Sequence, residues 1–470
     1  MAATSGSGSG HEVERALVAG LRAALRGEVI DRAHPGYHEA RAVWNGLIDR
    51  QPAVIARCAD TADVVEAVRA AAEHRPPVSI RGGGHQVAGS AVCDDGLVID
   101  LSAMKGIQVD PVARRARAQA GVTWGELDRE TQQFGLATPG GEVSTTGIAG
   151  LTLGGGMGFQ MRLRGLSCDN LRSVEIVTGD GQVRIASHDQ HPDLFRAARG
   201  GGRGLGVVTW FEFELHPLGP EVAVAQYLYP YTEAERVLRA FRDLAPDVAN
   251  TVAPELVLWT VPADPAIPAE LHGTPTVLVA GVHVGAPADA AGDLAPLQEL
   301  GPPLLDMSAA MPFLDVQSAF DGLVPPGGRY YMKSHFLDEI SDDAIAALLD
   351  CYERNPCPET LIALRTLGGA ISRFGVEDSA YPHRTARFNL SIDPFWFDPT
   401  LDEATIKWAR STWDTMRPFA TGGVYVNFAG LSDDAEHLAA ALYGPHQERL
   451  DRIRTAYDSE GVFASAARRP

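Results

Sequence analysis

Three runs of consecutive glycine, at residues 82–84, 154–156 and 200–202, constrain this chain more than any other feature. Glycine alone reaches positive φ without steric cost, and a run of it bares successive backbone N–H groups that can wrap an anion such as a pyrophosphate. One run is compatible with a tight turn and nothing more. Three so close together exceed ordinary turn usage and point to a backbone that approaches a bound group. No run has the GxGxxG spacing between a strand and a helix, with an acidic residue about 20 positions on, that a nicotinamide dinucleotide fold requires. GxxxxGK[ST] is absent, and with three lysines against 37 arginines a phosphate loop of that kind is excluded.

The first run sits in a strand, glycine turn, strand pattern. Apolar residues 78–80 lead into Arg81-Gly82-Gly83-Gly84-His85, and a second strand follows at 97–101. A helix is expected over 11–26. Another is expected over 59–73, capped by Asp60 or Thr61, with Val64, Val65 and Val68 inward and Pro76 and Pro77 as its stop. Strand signals recur at 116–120 and at 173–178, the latter returning through Gly179-Asp180-Gly181 into 182–186 as a hairpin, and residues 207–215 alternate like a half-buried strand. After Pro217 and Pro220 the texture changes to longer strands at 222–228, 255–261, 276–284 and 330–336, separated by helical stretches. That pattern predicts a broad antiparallel sheet with helices on one face. A chain of 470 residues, 45% of them hydrophobic, is long enough for two cores.

Net charge is −20, and the arginines are dispersed rather than clustered, which argues against a nucleic-acid partner and for a solvated acidic surface. The five cysteines, Cys58, Cys93, Cys168, Cys351 and Cys357, are odd in number and lack a CxxC pair. They suggest neither a disulfide framework nor a metal site, and they fit a reducing compartment. The first ten residues form a flexible Gly/Ser tail without the charged and apolar regions of a signal peptide, and no 18-residue apolar run follows. No membrane association is expected, and the location expected is the cytoplasm.

Four ordered segments carry a family resemblance: RGGGHQVAG from Arg81, ATPGGEVSTTGIAGLTLGGGMG from Ala137, GLSCDNLRSVEIVTGDG from Gly165 and DLFRAARGGGRGLGVVT from Asp193, with GGVYVNF at 422–428 completing the set. Together they resemble the berberine bridge enzyme and hydroxynicotine oxidase branch of the vanillyl-alcohol oxidase superfamily of FAD-linked oxidases, in its bacterial, monocovalent form. The resemblance implies an α+β, two-domain PCMH-type FAD-binding fold. The FAD-binding domain would span 1–218, with a core from about residue 50. A substrate-binding domain built on an antiparallel sheet covered by helices would span 219–420, and a C-terminal segment, 421–470, would return to the first domain. It also implies cofactor contacts from Arg81, Gly82, Gly83, Gly84, His85, Gln86 and Gly89 in the first segment. Thr146, Gly147, Gly150, Gly154, Gly155, Gly156 and Gly158 would supply those of the second, and Asn170, Gly206 and Val208 those beyond.

In the family the histidine of the first segment bonds to the flavin 8α carbon, which here implicates His85; a neutral imidazole nitrogen is a competent nucleophile for such a bond. Relatives with a second bond use a cysteine at the position that falls on Val143, so a single covalent link is expected, and Cys168 is assigned to the core. The implied reaction is hydride transfer from a small alcohol, amine or phenolic metabolite to FAD, with O2 as electron acceptor and a protein base taking a proton.

Tyr425 and Asn427 are the first candidates beside the flavin, followed by Tyr331 and His335, which would share a strand face four residues apart. Arg365 is assigned to a surface ion pair and His383 to a structural role. Plant-type relatives carry a catalytic glutamate on the strand before the Gly-Gly turn, whereas residues 361–366 contain no carboxylate. The family's Asn-x-Phe-Arg-x-Asn ending is replaced by GVFASA at 461–466. A second reading is a flavin-retaining non-redox cyclase or binding scaffold; reduction of the flavin by substrate separates the two.

Overall fold

Three sheets frame the molecule in this computed structural model, which describes residues 7–375, 377–431 and 435–464. In the first, Leu97–Asp100 runs parallel to both Val54–Arg57 and Val78–Arg81, and Glu28–Asp31 closes the edge antiparallel to Val54–Arg57. Leu97–Asp100 is buried at all four positions, and the apolar run Leu97, Val98 and Ile99 suits a central parallel strand. The crossover between its two parallel neighbours is the helix Thr61–His74. Asp60 caps it by accepting from the amides of Ala62 and Asp63, and Val64 and Val68 are buried beneath it. Val65, expected inward, is half-buried.

The second sheet is antiparallel throughout, in the order Ile107–Asp110, Arg115–Gln119, Val207–Glu214, Leu171–Val177, Val183–Ser187. Its last two strands form the expected hairpin, with Gly181 at φ 69° supplying the left-handed turn residue.

The third sheet has eight antiparallel strands, and its path runs Leu305–Asp306, Glu221–Pro230, Pro275–His283, Glu255–Thr260, Leu361–Thr366, Phe388–Asp393, Lys333–Leu337. Helices Ala234–Leu244, Asp342–Glu353 and Asp402–Met416 cover one face, burying Leu238, Ile345 and Trp408 against it. The expected strand over 330–336 is interrupted. Arg329–Tyr330 pairs with Phe395–Trp396, and Lys333–Leu337 pairs with Phe388–Asp393. Between the two partner segments lies Pro394, which has no N–H to give to a ladder.

The C-terminal segment packs back on the first two sheets: Val424, Val426, Leu450 and Phe463 share one core with Val54, Ile99 and Phe195. Helix Ser7–Ala24 begins inside the stretch expected to be a flexible tail, whose first six residues lie outside the described ones, as do positions 465–466 of the altered C-terminal motif. Among the described residues no helix is long and apolar enough to cross a membrane. All five cysteines are buried.

Candidate active site

The uncovered face of the eight-stranded sheet meets the glycine loops across a cavity of about 530 Å³. Its floor is two loops in backbone contact. A Cβ on Gly83 would overlap the nitrogen of Gly147 and lie 2.6 Å from its Cα, so only glycine lets these loops meet. Gly84, at φ 72°, then turns the chain so that His85 lines the cavity.

The His85 imidazole is held on three sides. Trp44 stacks on one face, with ring centroids 5.0 Å apart and 16° between planes. Thr145 Oγ1 lies 3.0 Å from Nε2, and Thr146 Oγ1 lies 3.4 Å from Nδ1. Desolvation pulls its pKa down to about 4, so the ring is neutral near pH 7 and one nitrogen keeps a free electron pair. Beside it, Gln86 Nε2 is buried with no hydrogen-bond partner among the described residues, a donor left for a group in the cavity. A neutral nucleophile, an orphaned donor and glycine-lined walls fit an FAD.

The second glycine run is tied down from the C-terminal segment. Tyr425 Oη accepts from the amides of Gly156 at 3.0 Å and Met157 at 3.1 Å, and from Asn427 Nδ2 at 2.8 Å. Asn427 Nδ2 also donates to the Leu151 carbonyl at 3.1 Å, and a Cβ on Gly154 would overlap the Asn427 amide. Tyr425 and Asn427 both line the cavity. Burial raises the Tyr425 phenol above 10, against the opposing pull of its three N–H donors.

Of the residues expected to contact a cofactor, Gly82, Gly83, Gly84, His85, Gln86, Thr146, Gly147, Gly150, Gly154, Gly206 and Val208 line the cavity. Arg81, Gly89, Gly155, Gly156, Gly158 and Asn170 do not, and stand behind the loops. Gly155 packs on Tyr381, Gly156 on Ser167, and Gly158 on the Gly140 carbonyl. Asn170 Nδ2 donates to the carbonyls of Arg164 and Leu166.

Tyr331 and His335 require a correction: neither lines the cavity. His335 stacks on Trp413 with centroids 4.8 Å apart, and its Nε2 lies 2.8 Å from the Trp413 carbonyl. Tyr331 donates to the Leu431 carbonyl at 2.8 Å and accepts from Arg410 Nε at 2.9 Å. Strand alternation is the reason. On Lys333–Leu337, His335 faces helix Asp402–Met416, whereas Ser334, on the opposite face, accepts from the Tyr425 amide at 3.1 Å. Tyr331 falls in the break before that strand.

Arg365 is the second correction. It is not at the surface but lines the cavity, where its Nη2 lies 3.1 Å from Glu255 and 3.3 Å from Glu142 and its Nη1 donates to Ser391 at 2.9 Å. The carboxylates missing from strand Leu361–Thr366 are supplied by its neighbours. Glu255 is directly opposite Arg365 in the register of one flanking strand, and Asp393 ends the other. Sequence reasoning missed Glu142, Glu255 and Asp393. The local sign was Asn389, Ser391 and Asp393, polar positions on one face of a strand whose other face is Phe388, Leu390 and Ile392. Burial pushes Glu255 up to about 8 and Asp393 up to about 6.

His383 stacks on Phe336 at 4.2 Å, away from the cavity, as its structural assignment expected. Cys168 is fully buried. Val143 lines the cavity.

Residues 52–187 match the family described as an FAD binding domain. Over 449 residues the chain is 30% identical to YgaK, an FAD-linked oxidoreductase of Bacillus subtilis (strain 168), covering 93% of this chain and 96% of that protein. It is 33% identical to (R)-6-hydroxynicotine oxidase of Paenarthrobacter nicotinovorans over 295 residues, 62% of each chain. The crystal structure of 6-hydroxy-D-nicotine oxidase from Arthrobacter nicotinovorans superposes with a TM-score of 0.83 at 28% identity, covering 94% of this chain and 97% of that one. Physcomitrella patens BBE-like 1 gives 0.85 at 21% identity, covering 96% and 97%, a likeness of fold. The expected α+β FAD-binding fold is the fold of these neighbours.

Proposed function

Since this chain belongs to the FAD-linked oxidoreductases, in the berberine bridge enzyme-like branch of the vanillyl-alcohol oxidase superfamily, we propose that it is an oxidase of a small organic alcohol, amine or phenol. Its FAD hangs on one covalent bond, from His85. The observation that carries this reading is the neutral imidazole at the cavity wall, steadied by Trp44 and two threonine hydroxyls. Only the unprotonated ring can form a bond to carbon, and an oriented ring loses less entropy on reaching the bonding geometry.

Bound FAD supplies a two-electron acceptor, which O2 then reoxidises. The chain's own residues do the rest. The glycine loops admit the cofactor to hydrogen-bond range, Gln86 Nε2 is a donor for it, and Tyr425 with Asn427 holds the Gly154 turn in place. Val143 presents an alkyl group where a thiol would allow a second bond. The first 218 residues with the segment from 421 act as the FAD-binding domain, and 219–420 as the substrate-binding domain. The odd number of buried cysteines, with no CxxC pair, suits the cytoplasm.

Acid precipitation tests the reading. The wild-type pellet should stay yellow, a peptide containing His85 should carry the mass of FAD, and His85→Ala should give up its flavin to the supernatant. Flavin released from the wild type by acid alone would overturn the bond. Substrate-driven bleaching of the flavin without oxygen is expected of an oxidase, and its absence across alcohols, amines and phenols would favour the non-redox scaffold.

A further inference from the structure

The cage around His85 is only half built by the loops that floor the cavity. Thr145 and Thr146, whose hydroxyls meet the two ring nitrogens, stand at the end of a loop, residues 141–146, that is gripped from far along the chain. Gln317, buried near the end of helix Phe313–Ser318, donates from Nε2 to the Gly141 carbonyl at 2.6 Å. In the turn that follows, the Asp321 carboxylate takes both donors of Ser144. Its Oδ1 accepts from the backbone amide at 2.9 Å and its Oδ2 from the hydroxyl at 2.5 Å. Val324 completes the set, its carbonyl accepting from Trp44 Nε1 at 3.0 Å. The indole on the face of the imidazole and the hydroxyls at its edge therefore hang on one short segment, residues 317–324.

The Asp321 contact does more than hold the loop down. An amide and a hydroxyl of one residue, bound to the two oxygens of one carboxylate, fix the twist of the chain as well as its position, and a charged acceptor makes both bonds stronger. Ser144 directly precedes Thr145, so that twist sets where the threonine hydroxyl points. On its other side the loop leans on helix Trp124–Gln132, where the amides of Trp124 and Gly125 donate to the carbonyls of Thr146 and Ser144 at 2.9 and 2.8 Å. These bonds remain without Asp321, so its removal frees the twist and leaves the loop seated. The same turn presents Phe320 and Leu323 to the cavity. Its docking thus completes the wall and aims His85 in one step.

We infer that Asp321 is a positioning residue for flavin attachment, setting through Ser144 the threonine hydroxyls that orient His85, so that the bond forms at full rate only with residues 317–324 docked on the loop. The inference rests on the His85 bond proposed above. That bond replaces one imidazole N–H and one C–H of the flavin 8α-methyl group with N–C. The two protons and two electrons released reduce the flavin ring, and O2 takes them up as hydrogen peroxide.

The test follows acid-insoluble flavin against time after saturating FAD is added to the full chain, produced under riboflavin limitation. Asp321→Ala is expected to attach flavin about tenfold more slowly than the wild type, and Ser144→Ala, which keeps the amide bond, about threefold more slowly. Saturation removes any change in FAD affinity from the comparison. In a Thr145→Val, Thr146→Val background Asp321→Ala should cause no further slowing, because the carboxylate then has no hydroxyls to aim. A wild-type rate in Asp321→Ala, or equal slowing with and without the threonine hydroxyls, would overturn the inference. If Asp321→Ala does not fold, Ser144→Ala decides: slower attachment supports the positioning role and a wild-type rate overturns it. The wild-type pellet separates the two claims. Flavin lost from it to acid sinks the proposed bond, whereas a yellow wild-type pellet with an unchanged Asp321→Ala rate sinks the role of Asp321 alone.

Discussion

The indole of Trp44 is stacked between two rings, the His85 imidazole 5.0 Å away on one side and the Tyr330 phenol 3.7 Å away on the other. Its Nε1 donates to the Val324 carbonyl at 3.0 Å, so the indole is fixed in its own plane as well. Aromatic pairing of this kind is worth about 0.5–1.5 kcal/mol, enough to change a rate about tenfold at the upper end. Trp44→Leu is therefore expected to bind FAD yet attach it up to about tenfold more slowly, seen as acid-releasable flavin early in a reconstitution time course. Trp44→Phe should recover most of the rate. If Trp44→Leu attached flavin at the wild-type rate, the stacking would have no part in presenting His85.

Tyr425 is better placed as a strut than as a base. Its oxygen already accepts three N–H groups, and burial favours the neutral phenol. Tyr425→Phe would leave the amides of Gly156 and Met157 buried without an acceptor, a cost of about 1–3 kcal/mol. The variant is expected to unfold at lower denaturant concentration and to reduce its flavin more slowly, without losing the covalent cofactor. The pH profile of reduction should keep its shape; loss of an alkaline limb would instead assign the proton-accepting role to this phenol.

The Arg365 cluster should also mark the stability curve. Glu255 titrates near about 8 and Asp393 near about 6 in the folded chain, both above their unfolded values. The native state thus binds protons that the unfolded chain has released, and this contribution is complete at low pH and lost as pH rises through about 6 and then about 8. Glu255→Gln keeps the neutral form at every pH. Between about pH 7 and 9 the wild type is expected to lose stability relative to this variant, measured as the difference in urea midpoints. On the acid side the sign reverses. His85, His335 and His383 are held near about 4 by burial, so stability should fall as pH drops from about 6.5 to 4. Parallel urea midpoints across pH 7 to 9, on the order of the measurement error, would show that Glu255 is not the titrating group.

Local signals in the chain were enough for the glycine loops, the Asp60-capped helix and the Gly181 hairpin, because each depends on residues within a few positions of one another. Arg365 and Glu255 are different. They are adjacent only because strands Glu255–Thr260 and Leu361–Thr366 pair in one register, and nothing near either residue reports that pairing. A charged residue read by itself defaults to the surface, which is how Arg365 was assigned. His335 failed for a smaller reason. Period-2 alternation tells which residues share a face, but the choice between helix and cavity was made by Trp413 on helix Asp402–Met416.

Two glycines that read alike in sequence should respond oppositely to alanine. At Gly83 a methyl group would drive into the backbone of Gly147, and no rotamer change can relieve a backbone overlap, so Gly83→Ala has to separate the two loops that floor the cavity. It is expected to lower the melting temperature and to abolish flavin retention together. Gly150 lies within helix Ile148–Leu153, has no atom within 4 Å of its would-be Cβ and faces the cavity. Glycine inside a helix costs about 0.5–1 kcal/mol relative to alanine, so Gly150→Ala should raise the stability of the flavin-free protein by roughly that amount. The same methyl group would project into the cavity proposed for the cofactor, so flavin content is expected to fall even as the protein becomes more stable. Thermal unfolding of the flavin-free forms, with flavin content per chain from absorbance, separates the two effects. A Gly150→Ala protein that keeps its full complement of flavin would mean that the cofactor does not approach this turn of helix.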